Sequence, residues 1–261
     1  MTRLFSSALI FSSAFFLTVS AFAKTIVIAD IDDTLRNFHS QGNYIEMYDN
    51  ATDSDRAFRG MSQVLNDLSE NGAEIHYVSA VVEPFTGLSK DFLEDNHFPQ
   101  AENFSGKGWF QDTTDFKVSE IETILTGNVA DDVVFLGDNG DHDVEVYQRL
   151  AAEFSNTHTY IHKLYVGDGL MTLAPGQDVF ITAADLAVRL ENLQALTPEQ
   201  TALVLQNIVS DASSDEADVR EMLWPSWAQA EPQDISAAFT IPSATAGEAQ
   251  ALRQIQSALF P

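Results

Sequence analysis

The run Ile26-Val27-Ile28-Ala29, followed at once by Asp30-Ile31-Asp32-Asp33-Thr34, constrains the fold more than any other stretch of the chain. Apolar, β-branched residues without polar alternation suit a strand buried on both faces, the kind found in parallel sheets covered by helices. Carboxylates directly after it put acid at the strand's C-terminal end, where open α/β sheets bind their ligands. If the strand continued, Asp30 and Asp32 would project to one side and Asp33 to the other. Two carboxylates at such an edge can divide attack and proton transfer between them. Asp and Thr also suit a plain helix cap, so the pentapeptide alone leaves both uses open.

The rest of the chain supplies the layers such a strand needs. Helical spacing of Met61, Val64, Leu65 and Leu68 predicts a helix over 59–71, closed by Asn71-Gly72. A second strand is expected over 73–78, running into Ser79, and a helix over 84–96. Residues 97–116 look like a loop, with Trp109 and Phe110 as an aromatic pair, and 36–55 is polar and too irregular to assign. Val118, Ile121, Ile124 and Leu125 share a face of a helix that Lys117 opens. A strand over 132–136 ends in Gly137-Asp138, a helix follows over 144–154, and strands over 159–166 and 179–182 complete the pattern. Strand and helix in alternation predict an α/β fold, a Rossmann-like parallel sheet with helices on both faces.

Beyond Leu196 the pattern changes to a helix over 198–209, an acidic stretch over 210–218, Trp224-Pro225-Ser226-Trp227, and a last helix over 247–259. The expected division is a leader over 1–23, a main domain over 24–196 and an acidic, partly helical extension over 197–261 that packs on it. Arg3, the apolar run Ala8 to Val19 and Ala21-Phe22-Ala23 read as a secretory signal cut after Ala23, which predicts a periplasmic or secreted protein; an uncleaved anchor is the competing expectation. The chain has no cysteine, which excludes disulfides, thiolate metal sites and a Cys nucleophile. Against 39 Asp and Glu stand 13 Lys and Arg, a net charge of -26, so nucleic acid and anionic membrane surfaces are poor partners. An anionic substrate therefore needs a local cation.

In a parallel sheet Asp30 to Thr34, Ser79, Lys117 and the segment Gly137-Asp138-Asn139-Gly140-Asp141-His142-Asp143 converge on one edge. Acidic clusters, a hydroxyl and an amine there could bind a phosphoryl group together with magnesium, an oxygen-seeking ion. Counting from Asp138, Gly140 and His142 fall where a calcium-binding loop needs oxygen ligands, which argues against that alternative. His142 is read as a solvated loop residue.

This order of motifs resembles the haloacid dehalogenase superfamily, and within it the catalytic domain of the actin-patch type phosphatidate phosphatases. The likeness covers roughly residues 24 to 190 and rests on Asp30-Ile31-Asp32-Asp33-Thr34, His76-Tyr77-Val78-Ser79, Asp115-Phe116-Lys117, Gly137-Asp138-Asn139-Gly140 with Asp143 and Tyr147, and Phe180-Ile181-Thr182. It implies a fold of haloacid dehalogenase type with a small cap or none, and Mg2+-dependent hydrolysis of a phosphate ester, phosphatidate or another phospholipid among them. By the same resemblance Asp30 is the nucleophile, Asp32 the acid and base, and Ser79 and Lys117 hold the phosphoryl group. Metal ligands would be Asp30, the Asp32 carbonyl and Asp138, with Asp143 supporting. Asn139 stands where the family usually has Ser, Val144 follows Asp143 in place of Pro, and Ala80 to Pro84 depart from the usual polar loop, differences that bear on substrate fit. A small soluble ester, or binding without turnover, are the alternatives.

Overall fold

The computed structural model describes residues 24–261; the leader expected over 1–23 lies outside the described residues. β1 (Thr25–Ala29) is buried along its whole length, as its apolar run requires. It pairs in parallel with β2 (Glu74–Val82) on one side and β4 (Asp132–Asp138) on the other. β3 (Asn103–Lys107) lies outside β2, while β5 (Thr157–His162) and β6 (Gln177–Phe180) extend the sheet past β4. The six strands are all parallel in the order β3-β2-β1-β4-β5-β6. From β1 the chain winds outward to β3, then returns to start β4 on β1's other side, so the loops after β1 and β4 diverge and open a crevice between them.

Alternation along the strands assigns the two faces. Val27, Ala29, Tyr77 and Leu136 pack with α2 (Met61–Glu70), α3 (Thr86–Asp95) and α6 (Ala183–Asn192). On the other face Ile26, Ile28, Val133 and Phe135 meet Ile121, Ile124 and Leu125 of α4 (Thr113–Gly127) and Val146 and Leu150 of α5 (Asp143–Glu153). The extension joins the first of these cores. α7 (Pro198–Ala212) contributes Val204, Leu205 and Ile208, and α10 (Ala246–Leu259) contributes Leu252 and Ile255. Each such burial contributes about 1.5–3 kcal/mol, enough in sum to hold the tail as part of the folded unit. Two shorter helices, α8 (Ala217–Glu221) and α9 (Pro232–Phe239), lie between them in sequence. Both long tail helices start at a capping box, Thr197 with Gln200 and Thr245 with Glu248.

Several boundaries differ from the sequence-based expectation. β3 forms inside the stretch expected to be loop; Asn-Phe-Ser-Gly-Lys has no strand signature, and pairing with β2 decides its state. The polar stretch after β1 contains α1 (Tyr44–Thr52), capped by Asn43. α4 starts four residues early, at Thr113 with Asp112 as its cap, so Lys117 lies in the second turn and faces inward instead of opening the helix. β2 runs on to Val82, and Ser79 sits where it outreaches β1. β5 ends at His162 and β6 at Phe180, leaving Thr182 as the cap of α6.

Candidate active site

Asp30 follows β1 in the same alternation as Ile28, which turns its side chain toward α4 and α5. There the Lys117 ammonium donates to Asp30 Oδ1 at 2.8 Å and to Asp143 Oδ1 at 2.5 Å. The other Asp143 oxygen accepts from the Asp138 backbone N–H at 3.2 Å, so Asp143 clamps the lysine and the end of β4 together. This approach needs Gly137: a Cβ there would lie 2.5 Å from Asp143 Oδ2 and 2.6 Å from the Tyr147 ring. Asp138 Oδ1 accepts from Gly140 N–H, closing the turn that carries β4 into α5. All four charged residues are buried.

Three clustered carboxylates, two of them on one ammonium, leave a surplus of negative charge in a medium that screens poorly. Burial pushes Asp30 well above the ordinary carboxylate range; Lys117 pulls it back and Asp143 adds to the rise. Burial likewise raises Asp138, reinforced by Asp143, Asp33 and Asp30. For Lys117 burial alone would favour the neutral amine, but Asp143 and Asp30 outweigh it and hold its pKa well above the lysine norm. Protons can relieve the surplus, and so can a second cation. Asp30, Asp138 and Asp143 each present an oxygen within 4.8 Å of the other two. An all-oxygen, acidic donor set of this kind fits a hard divalent ion.

Asp32 stands apart from that cluster. Its Oδ1 accepts from Arg36 Nε at 2.8 Å and Nη2 at 2.5 Å, and the buried guanidinium lies near the rings of Phe38 and Phe92. Burial raises the Asp32 pKa while Arg36 opposes it. That leaves a carboxyl able to carry a proton, and one more exposed than Asp30. Ser79 is buried on the neighbouring strand, two residues past Tyr77, which pairs with Ala29; its Oγ accepts from Val81 N–H at 3.2 Å. His142 joins its Nδ1 to the Thr114 hydroxyl at 2.9 Å, tying the start of α4 to the β4 turn.

Residues 25–166, more than half of the chain, match the family described as phosphatidate phosphatase APP1, catalytic domain. The chain belongs to this family. It is a phosphatidate phosphatase-like phosphatase, and thus a phosphoric monoester hydrolase. Comparison with curated proteins finds no match, and neither does comparison with solved structures.

Residues to which the sequence gives no catalytic or metal role also shape the surroundings of the site. Asp33 has a left-handed backbone, φ 62°, a conformation Asp tolerates better than most residues. Its carboxylate accepts from the backbone N–H groups of Phe38, His39 and Ser40 and from the Tyr165 hydroxyl. Asn139, where the family usually has Ser, accepts from Leu164 and Tyr165 N–H and donates to the carbonyls of Tyr165 and Met171, so all its hydrogen-bonding capacity joins the β4 exit to the β5 exit. Trp227, beyond the family match, stacks on His39 at 4.2 Å and on Tyr165 at 5.3 Å, and donates to Asn37 Oδ1. Asp33 and Asn139 lie inside the motifs, which is the available signal. Nothing in sequence links Tyr165 or Trp227 to Asp33 across more than a hundred residues.

A cleft of about 590 Å3 between the starts of α2 and the end of α7 contains none of the residues around Asp30; its Arg59 is paired with Asp211. The chemistry therefore belongs to the strand exits.

Proposed function

We propose that the protein is an exported, magnesium-dependent phosphatase that transfers the phosphoryl group of its substrate to Asp30, with phosphatidate as the substrate. The observation that carries this reading is the buried Lys117 held between Asp30 and Asp143, with Asp138 beside them. Lys117 fixes one Asp30 oxygen and leaves the other to attack phosphorus. As that P–O bond forms, the bond to the ester oxygen breaks, and Asp32 supplies the proton the leaving oxygen needs. Water then attacks the aspartyl-phosphate, gives its proton to Asp32 and frees inorganic phosphate, restoring Asp30. Burial favours the protonated form of Asp32 that the first step uses, and Arg36 favours the ionised form that the second uses. Asp30, Asp138 and Asp143, with the Asp32 carbonyl, would hold the magnesium ion. Bound there, it would offset the carboxylates' charge and that of the phosphoryl oxygens.

Support for phosphatidate comes from the family's name, and support for export from the apolar, singly charged leader ending in Ala-Phe-Ala. The test is phosphate release from p-nitrophenyl phosphate and from phosphatidate in detergent micelles, with magnesium and with chelator. Asp30→Asn should lower release by about 10⁴-fold or more, the scale seen when a covalent nucleophile is removed. No magnesium-dependent release from either ester would sink the mechanism, and release from the soluble ester alone would replace phosphatidate with a small substrate. The mass of the protein recovered outside the cytoplasm tests export: it should start at Lys24.

A further inference from the structure

Large apolar side chains exposed among the described residues are not scattered. Tyr44, Ile45 and Tyr48 lie on one side of α1, which follows β1; Phe85 follows β2; Trp109 and Phe110 follow β3. Tyr44 is 90% exposed and Phe110 fully so. All six belong to connections at the C-terminal edge of the parallel sheet, the edge that carries Asp30, as does the less exposed Val166 after β5, whereas the exceptions, Val129 and Leu203, lie before β4 and on α7. The two sets are neighbours: α1 packs on α3, and the Phe85 and Trp109 rings meet edge to face at 6.0 Å. The tie from Thr114 to His142 holds the loop bearing Trp109 and Phe110 beside the β4 exit. Exposed apolar patches of this kind mark contact surfaces.

We propose that this rim is where the enzyme docks on a lipid surface, with Trp109 and Phe110 entering the interface. The proposal rests on the phosphatase reading of the site above. Its occupant follows from the geometry of that site. A phospholipid's phosphate must reach Asp30 through this edge, and its acyl chains, which the buried carboxylates cannot accommodate, must stay outside, where the rim offers aromatic surface. Tyr and Trp suit that depth because each joins an apolar ring to a polar atom. Electrostatics sets the mode of attachment. Glu46, Asp49, Glu83 and Asp112 share the rim's loops, and the chain carries 39 acidic against 13 basic residues, so docking runs by apolar insertion against charge repulsion. Added salt should therefore preserve or strengthen binding, opposite to the response of a polybasic surface.

Co-sedimentation with phosphatidylcholine vesicles, with and without a minority of phosphatidate, tests this. The unmodified protein should pellet with both, at low and at high salt. Trp109→Ser combined with Phe110→Ser should weaken pelleting by about tenfold or more, and should lower phosphate release from vesicular phosphatidate in parallel while leaving release from p-nitrophenyl phosphate unchanged. Asp30→Asn should pellet like the unmodified protein while hydrolysing neither ester, so a failure of the chemistry and a failure of docking are read separately. Four results overturn the proposal: an unmodified protein that stays in the supernatant, a double variant that pellets undiminished, pelleting abolished by salt, or a dimer on gel filtration that the same substitutions dissociate without any vesicle binding.

Discussion

The two sides of the crevice are built differently. Toward β4 and β5 the loops are tied by polar bonds: Asp33, after β1, takes four donors, one of them Tyr165 beyond β5, Asn139 joins two strand exits, and Trp227 from the tail closes over His39 and Tyr165. On the side of β2 and β3 the loops present Phe85, Trp109 and Phe110 to solvent. One side holds a charged site rigid, which phosphoryl transfer needs because it depends on positioning. The other keeps apolar surface uncovered at a cost in solvation, which makes sense where something outside the molecule covers it.

Breaking the tied side at its centre should have the largest effect. Lys117→Met leaves the buried carboxylates of Asp30 and Asp143 without their cation, and we expect turnover of p-nitrophenyl phosphate to fall by about 10³-fold or more, with about 3–5 kcal/mol lost in urea unfolding. Asp33→Ala should cost about 3–4 kcal/mol, since it strands three backbone N–H groups and a buried hydroxyl and puts Ala at φ 62°. Asp33→Asn, which keeps one acceptor oxygen and tolerates that backbone, should lie between. If both variants unfold like the unmodified protein, the tied side does not owe its order to Asp33.

A smaller effect depends on pH. Asp185, buried in the first turn of α6 and bonded to Thr182 and Ile181, has its pKa pushed up to about 6 by burial, against the pull of Arg189 and Thr182. The folded state thus favours the neutral carboxyl more than the unfolded chain does. The stability this adds is full below about pH 4 and is lost as pH rises through about 6, up to about 3 kcal/mol relative to Asp185→Asn. Unfolding of both proteins across that window checks the sign. The smallest effect belongs to the open side: Trp109→Ser with Phe110→Ser should change stability by less than about 0.5 kcal/mol, because neither ring is part of the core. A large loss there would erase the contrast between the two sides.

Much of this arrangement was legible beforehand. Ile26 to Ala29 and the run over 132–136 announce buried parallel strands by apolar continuity, and Leu65, Leu68, Ile121 and Ile124 mark helix faces by spacing. Motif order points to Asp30, Lys117, Asp138 and Asp143; Asp30 and Asp143 meet at the Lys117 ammonium, and Asp138 presents an oxygen within 4.8 Å of theirs. β3 was missed because an edge strand takes its state from its neighbour. The start of α4 was missed because Thr113 to Asp115 carry no apolar face to reveal it.

The chain by itself determines its parallel sheet, the strand exits where acid collects, and its membership of a phosphatase family, because burial periodicity and motif order are local properties of sequence. Tertiary structure alone decides that Asp32 turns to Arg36, that Asp33 organises the loop after it, and that Trp227 reaches the site from outside the matched segment. It also decides that Trp109 and Phe110 stay in solvent while Trp224 and Trp227 are partly covered. The physical reason is that hydrogen bonding and burial depend on which distant segment arrives. An aromatic pair in a loop reads the same whether it will be packed or exposed.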